Sequence, residues 1–123
     1  MKITINDNRK IFAIQEEFCK VFPYLKLEFF SKPHSAGGGS SKKSVKHNSK
    51  TLGECRTIHN KGNITITPGM TVSGLEQNFE DVYGLGVQIF RKSGKVWLET
   101  TITDGWTLEH QNSEGEALSK PVA

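Results

Sequence analysis

Several patterns that would indicate a particular class of protein are missing from this sequence of 123 residues. There is no apolar run of about 18 residues, the length that a membrane-spanning helix requires, and no signal peptide precedes the first alternating segment. The two cysteines, Cys19 and Cys55, form neither a CxxC pair nor a disulfide framework, and Cys19 is expected to be a small core residue. We therefore expect a cytoplasmic protein without a membrane segment.

Patterns of catalytic and metal-binding residues are also missing. A zinc site needs three or four convergent ligands, usually with a close pair among them, and the four histidines are scattered. No GxSxG elbow frames a nucleophilic serine. The run GGGSSKKS at 37–44 lacks the glycine that directly precedes the lysine of a phosphate-binding loop. We expect no enzymatic activity, no cofactor and no bound metal.

The net charge is only +3, but the charges are unevenly distributed. Residues 1–62 contain 12 Lys and Arg against 5 Asp and Glu, whereas residues 63–123 contain 4 against 8. This asymmetry indicates either an anionic partner for the first half or contact between the two halves.

A repeat relates the two halves, because a strand and the apolar face of a helix recur with an offset of 61 residues. Ile3 and Ile5 alternate with polar residues, as in a half-buried strand, and Ile64 and Ile66 repeat them. The helix positions Ile11, Ile14, Phe18, Val21 and Phe22 recur as Val72, Leu75, Phe79, Val82 and Tyr83. Each set has the spacing of an amphipathic helix.

Alternation and turn residues predict the remaining elements. A second strand is expected at 25–29 and a weaker one at 51–58. A hairpin is expected between 85–91 and 95–102, with Gly94 supplying the positive φ of its turn.

Two segments have too few apolar residues to pack. Residues 32–50 consist mostly of Gly, Ser, Lys, His and Asn, and they cannot bury enough surface to offset their ordering entropy. We expect them to form a mobile basic loop within a single domain at 1–112. Residues 113–123 are expected to form a frayed tail.

The run ITITPGMTVSGLEQNFEDVYGLGVQIFRKSGKVW, within 51–103, resembles the ubiquitin-like β-grasp family. The shared features are an alternating strand that ends in proline, a Thr-Val start of the helix, a glycine after the helix and a strand that leads into a glycine turn. The resemblance implies a fold rather than an activity. Pro121-Val122-Ala123 differs from the Gly-Gly ending of ubiquitin, so conjugation is not expected. The run DGWTLEHQNSEG is similar to the ending of short uncharacterised bacterial proteins, which implies no activity.

We therefore expect an α+β fold with one mixed β-sheet and two helices on one face of it. In this arrangement a β-grasp-like second half is preceded by a β-α-β unit. The alternative is a ferredoxin-like sheet that is built from two β-α-β units in series.

The strongest candidate for a binding site is an aromatic cluster on the face of the sheet that carries no helix. In a hairpin that turns at residues 93–94, Phe90 lies opposite Trp97, and Ile89 lies opposite Leu98. If Ile89 and Leu98 face the helices, the two aromatic residues must face away from them.

The same alternation puts Phe30 on the face of Phe90. Such a face is either a binding surface or is covered, by the C-terminal segment with Trp106 or by a second copy. We expect a small non-catalytic module that binds a protein partner, or itself, through Phe30, Phe90 and Trp97. The alternative is nucleic-acid binding, in which the aromatic rings stack on bases and basic loop residues neutralise phosphates. The loop lysines in question are Lys42, Lys43, Lys46 and Lys50.

Overall fold

The computed structural model describes residues 1–31, 43–44 and 49–120, and at residues 31, 43 and 44 the backbone alone. Its elements in chain order are β1 (Lys2–Ile5), α1 (Ile11–Val21), β2 (Leu25–Ser31), β3 (Lys43–Ser44), a short 3₁₀ helix (Leu52–Cys55), β4 (Gly62–Thr65), α2 (Val72–Tyr83), β5 (Gly86–Ser93), β6 (Val96–Glu99) and α3 (Leu108–Ser119). The predicted α+β class is confirmed. The predicted mobile loop at 32–50 lies mostly outside the described residues.

The described strands form two antiparallel sheets, so the prediction of one mixed sheet is wrong. β1 pairs with β4, and the larger sheet has the order β3-β2-β5-β6. Each of the first two strands pairs with its counterpart in the second half of the chain, with Ile3 opposite Ile64 and Leu27 opposite Ile89. This pairing of counterparts divides the strands between two sheets, whereas both predicted arrangements need a single one.

The two repeated helices bury equivalent positions. The buried helix residues, including the cap of α1, are Ile11, Ile14, Phe18, Phe22, Val72, Leu75, Phe79 and Tyr83. Val21 and Val82 also occupy equivalent positions, but their side chains are 45% and 43% exposed. The repeat is therefore structural, although the position of Val21 and Val82 lies on the surface in both helices.

Arg56 joins three distant parts of the chain where the weak strand at 51–58 was expected. Its side chain is fully buried, and Nη1 donates to the carbonyl oxygen of Tyr83 at 2.9 Å, at the C-terminal end of α2. Its Nε and Nη2 donate to Oδ1 of Asp7 at 3.1 and 2.8 Å. A cation is favourable at the C-terminal end of a helix because the carbonyl groups there carry partial negative charge. The predicted strand is wrong, since a 3₁₀ helix and this joint replace it.

α3 occupies much of the segment that was predicted to be a frayed tail. The side chain of Gln111 is buried, and its Nε2 donates to the carbonyl oxygen of Thr103 at 2.8 Å. Gly115 lies so close to the sheet that a Cβ at this position would be 2.9 Å from Cβ of Tyr24. The prediction is therefore wrong for residues 113–119, which are helical because a buried amide and a close backbone approach anchor them to the sheet.

Candidate binding face

The outer face of the larger sheet is the face that carries Phe90 and Trp97. The β5–β6 hairpin pairs Ser93 with Val96, so its two turn residues are Gly94, with φ of 62°, and the residue after it. The predicted turn lay one residue earlier. As a result, Phe90 lies opposite Glu99 and not opposite Trp97, which corrects the predicted pairing. Because the register differs by two residues, the two aromatic side chains still belong to the same face.

Lys26 connects the two aromatic residues. It lies opposite Phe90 in the β2–β5 ladder. Its Nζ is 5.5 Å from the centroid of the Phe90 ring and 5.2 Å from the centroid of the Trp97 ring. The same Nζ is 3.1 Å from Oε1 of Glu28. An ammonium group within about 6 Å of an aromatic face is attracted by the ring quadrupole, so Lys26 holds both rings in one cluster.

A groove of about 470 Å³ runs between this cluster and α1. Its lining residues are Phe12, Gln15, Glu16, Cys19, Leu25, Lys26, Glu28 and Trp97. The side chain of Phe12 is 43% exposed, and Cys19 is an exposed free thiol, so the prediction that Cys19 belongs to the core is wrong. We call the groove together with Lys26, Phe90 and Trp97 the aromatic groove.

The α1 wall of the aromatic groove was not predicted from the sequence. Phe12 and Cys19 lie outside the apolar stripe of α1, because each follows a stripe residue directly in the sequence. A signal was present, since these two residues are seven apart and therefore share one side of a helix. The lining of the groove shows that this side of α1 adjoins the aromatic cluster.

The structure does not bring all of the predicted binding residues together. Phe30 belongs to the outer face, as expected, but it lies opposite Gly86, four residues along β2 from Lys26 and thus about 13 Å away. Lys42 and Lys46 lie outside the described residues. The backbone at residue 43 pairs with residue 31, and nothing further about Lys43 is described.

As far as residue 120, where the description of the chain ends, the C-terminal segment does not cover Trp97. Trp106 stacks on His110, with ring centroids 4.2 Å apart, and the guanidinium carbon of Arg91 lies 5.5 Å from the centroid of the Trp106 ring. Because Arg91 follows Phe90 in the strand, its side chain belongs to the opposite face of the sheet. α3 therefore packs on the helix side, and Phe90 and Trp97 each stay partly exposed.

Asp7, Arg56 and His59 form a second polar cluster, in which the Asp7 carboxylate lies between a guanidinium and an imidazole group. Nδ1 of His59 is 2.8 Å from Oδ2 of Asp7. Hydrogen bonds from His59 and from Arg56 lower the pKa of the Asp7 carboxyl. No hydroxyl or thiol group among the described residues bonds to His59, so the arrangement lacks a nucleophile at the histidine. The cluster serves to join the loop after β1 to the end of α2.

Comparisons with known proteins identify no relative: no family model, no curated protein and no solved structure matches the chain. Within the described ranges, no group of three or more His, Cys, Asp or Glu side chains is placed to hold a metal ion. None of the described helices is both long enough and apolar enough to cross a membrane. The ubiquitin-like resemblance stays a prediction.

Proposed function

We propose that the protein is a non-catalytic module that binds a segment of another protein in the aromatic groove. The observation that supports this proposal is a groove of about 470 Å³ with exposed Phe12 on one wall and partly exposed Trp97 on the other. Apolar side chains on both walls leave water when a partner fills the groove, and this transfer is favourable. Aromatic anchors in such a depression are also typical of the residues that dominate binding energy in protein interfaces.

The charges beside the groove define the chemistry of the partner. Glu16 is exposed on the α1 wall, and no ion pair joins it to another described residue. Glu28 is partly buried beside Lys26. An apolar side chain between Phe12 and Trp97, followed by a Lys or Arg that reaches Glu16, would complement both features. The proposed partner is therefore a short segment with an apolar residue next to a basic one.

Nucleic-acid binding is the alternative that the sequence suggested, and two features of the outer face argue against it. Lys26 already lies against both aromatic rings, which competes with the stacking of bases on them. Glu28 and Glu99 belong to the same face and would repel phosphate groups. A single-stranded oligonucleotide is nevertheless a useful probe, because binding that weakens steeply with salt would favour this alternative.

The proposal is tested by selecting a displayed library of random peptides on the immobilised protein and counter-selecting on the Trp97→Ala variant. We expect the enriched peptides to carry an apolar residue next to Lys or Arg. The affinity of a synthetic peptide from this set should fall roughly tenfold or more in Trp97→Ala and in Phe12→Ser. Val82→Ser is the matched control, because the side chain of Val82 on α2 has the same 43% exposure as that of Phe12.

The exposed thiol in the groove gives an independent readout. Cys19 is exposed, whereas burial raises the pKa of the Cys55 thiol and makes it less reactive. The bound peptide should slow alkylation of Cys19 and leave the slow alkylation of Cys55 unchanged. A library that yields no peptide, or peptides that bind equally well to Trp97→Ala and Phe12→Ser, would contradict the proposal.

A further inference from the structure

β6 is the terminal strand of the larger sheet, and its outer edge is open among the described residues. It follows β5 in the strand order, and no described strand pairs with its other side. The side chains of Val96 and Leu98 are 56% and 41% exposed. Trp97 is partly exposed on the opposite face. An exposed edge with apolar side chains on both faces is a template for pairing with another strand.

At two other places in this sheet, described side chains bond backbone groups of β2 and β5 that no strand pairs. At the edge of β2 that faces α1, Nε2 of Gln15 donates to the carbonyl oxygen of Leu27 at 2.8 Å. Where β5 extends past the end of β6, Ile89 has both of its backbone groups bonded. Its N–H donates to Oε2 of Glu76 at 3.0 Å, and its carbonyl oxygen accepts from Oγ1 of Thr100 at 2.7 Å. No described side chain makes such a bond to β6 on its outer side.

The direction of the backbone groups in β6 follows from Ile89. Because Ile89 turns its N–H and C=O toward the β6 side of the sheet, the residues two and four positions later do the same. Those two residues lie opposite Leu98 and Val96. The N–H and C=O groups of Trp97 and Glu99 therefore point away from β5, toward the open edge.

We propose that β6 pairs with β6 of a second copy of the chain, antiparallel and centred on Trp97. In this register Trp97 exchanges two backbone hydrogen bonds with Trp97 of the second copy. Val96 lies opposite Leu98 of the second copy, which is an apolar pair. Lys95, the second residue of the hairpin turn, comes beside Glu99 of the second copy, and symmetry repeats this oppositely charged pair.

The charges select this register over its neighbours. Centring the pair on Leu98 puts Glu99 opposite Trp97, and centring it on Val96 puts Lys95 opposite Trp97, so both alternatives lose the two Lys–Glu pairs. A displacement by a single residue sets outward backbone groups opposite inward ones, which cannot form the hydrogen bonds. Lys95 and Glu99 form no ion pair with other described residues, so both are available to the second copy.

This dimer extends the proposed function without resting on it. Neither Lys95 nor Glu99 lines the aromatic groove. A two-fold axis perpendicular to the joined sheet places both outer faces on the same side. The dimer therefore presents two aromatic grooves on one surface, to a partner that carries two binding segments.

Charge reversal tests the register directly. Sedimentation velocity over a roughly hundredfold range of concentration measures self-association of the wild-type chain. Lys95→Glu and Glu99→Lys should each weaken self-association about tenfold or more. In a dimer of either variant, residues 95 and 99 of the two copies carry the same charge and repel each other at both facing pairs. An equimolar mixture of the two variants should associate again, since every facing pair is then of opposite charge. The double variant Lys95→Glu/Glu99→Lys should also regain self-association.

The mixture provides its own control for folding, because two misfolded variants would not associate specifically. The proposal is overturned if the wild-type chain stays monomeric throughout, if the single variants associate as well as the wild type, or if their mixture does not associate. Binding of the selected peptide by the Lys95→Glu variant separates the two proposals. If the variant loses the dimer and still binds the peptide, the β6 edge forms the dimer independently of the groove. If the variant loses peptide binding and still forms the dimer, the defect lies in the aromatic groove.

Discussion

Ile3 lies directly opposite Ile64 in the β1–β4 ladder, and the two residues are equivalent positions of a repeat with an offset of 61 residues. Leu27 and Ile89, which are 62 residues apart, form a similar pair between β2 and β5. All four side chains are buried. The two halves of the chain therefore pair strand by strand, and β3, the 3₁₀ helix, β6 and α3 lie outside the repeat.

The central phenylalanines of the two repeated helices should contribute equally to stability. Phe18 and Phe79 are both fully buried, so truncation of either to alanine should lower the free energy of unfolding by about 3–5 kcal/mol. Val21→Ala and Val82→Ala are matched controls at exposed repeat positions, and each should cost less than about 1 kcal/mol. Urea unfolding measures all four variants. A small loss at only one phenylalanine would mean that the two equivalent positions do not contribute equally to stability.

The Asp7–Arg56 joint should make stability depend on acid pH. Hydrogen bonds from His59 and Arg56 hold the pKa of the Asp7 carboxyl in the folded state below its usual range. A carboxyl with a depressed pKa stabilises the fold above its unfolded pKa and loses this contribution as the pH falls through the folded value. The stability difference between wild type and Asp7→Asn should therefore be largest above about pH 5 and shrink below about pH 4.

Urea unfolding at a series of pH values measures this difference. Asp81→Asn, at an exposed position of α2, controls for the change in net charge. A difference between wild type and Asp7→Asn that stays constant down to about pH 2 would mean that Asp7 is not held by these hydrogen bonds.

The close approach of α3 should be sensitive to the size of residue 115. A Cβ on Gly115 would lie 2.9 Å from Cβ and 3.0 Å from the carbonyl oxygen of Tyr24. Gly115→Val should therefore destabilise the protein by about 1–3 kcal/mol through overpacking. Ser113→Val is the control on the exposed side of the same helix, because it introduces the same β-branched side chain where there is no close contact with Tyr24. Equal losses for the two variants would show that α3 does not pack at this distance.

Local patterns predicted the repeated elements but not their pairing. The apolar spacing around Phe18 and Phe79 identifies two helices because their buried faces are purely apolar. α3 has no such stripe, since its buried positions include Gln111 and Gly115, and a search for apolar periodicity cannot find it. The number of sheets depends on which strands meet, and alternation within a strand carries no information about its neighbour.

The binding face was predicted only in part, because local patterns determine the face of a side chain but not the residues that it meets. Alternation correctly placed Phe90 and Trp97 on one face, because a register shift of two residues leaves the faces unchanged. It could not fix the pairing itself, since Gly94 supplies the positive φ whether it is the first or the second residue of the turn. Lys26 and Phe12 join the face only through tertiary contacts between β2, β6 and α1.

The two tryptophans offer the most direct test of the claim that the aromatic groove binds a partner. Trp97 belongs to the outer face, whereas Trp106 packs against His110 and Arg91 on the helix side. Trp97→Ala should lower the free energy of unfolding by at most about 1 kcal/mol, because a cross-strand side chain on an open face contributes little. Trp106→Ala should cost about 2 kcal/mol or more, since truncation removes the packing of this ring against His110 and Arg91.

Calorimetric titration of both folded variants with the selected peptide completes this comparison. The account predicts that Trp97→Ala keeps its stability and loses binding by roughly tenfold or more, while Trp106→Ala loses stability and keeps binding. The opposite result, in which Trp97→Ala is strongly destabilised yet binds the peptide with unchanged affinity, would contradict the proposal that this face is a binding surface.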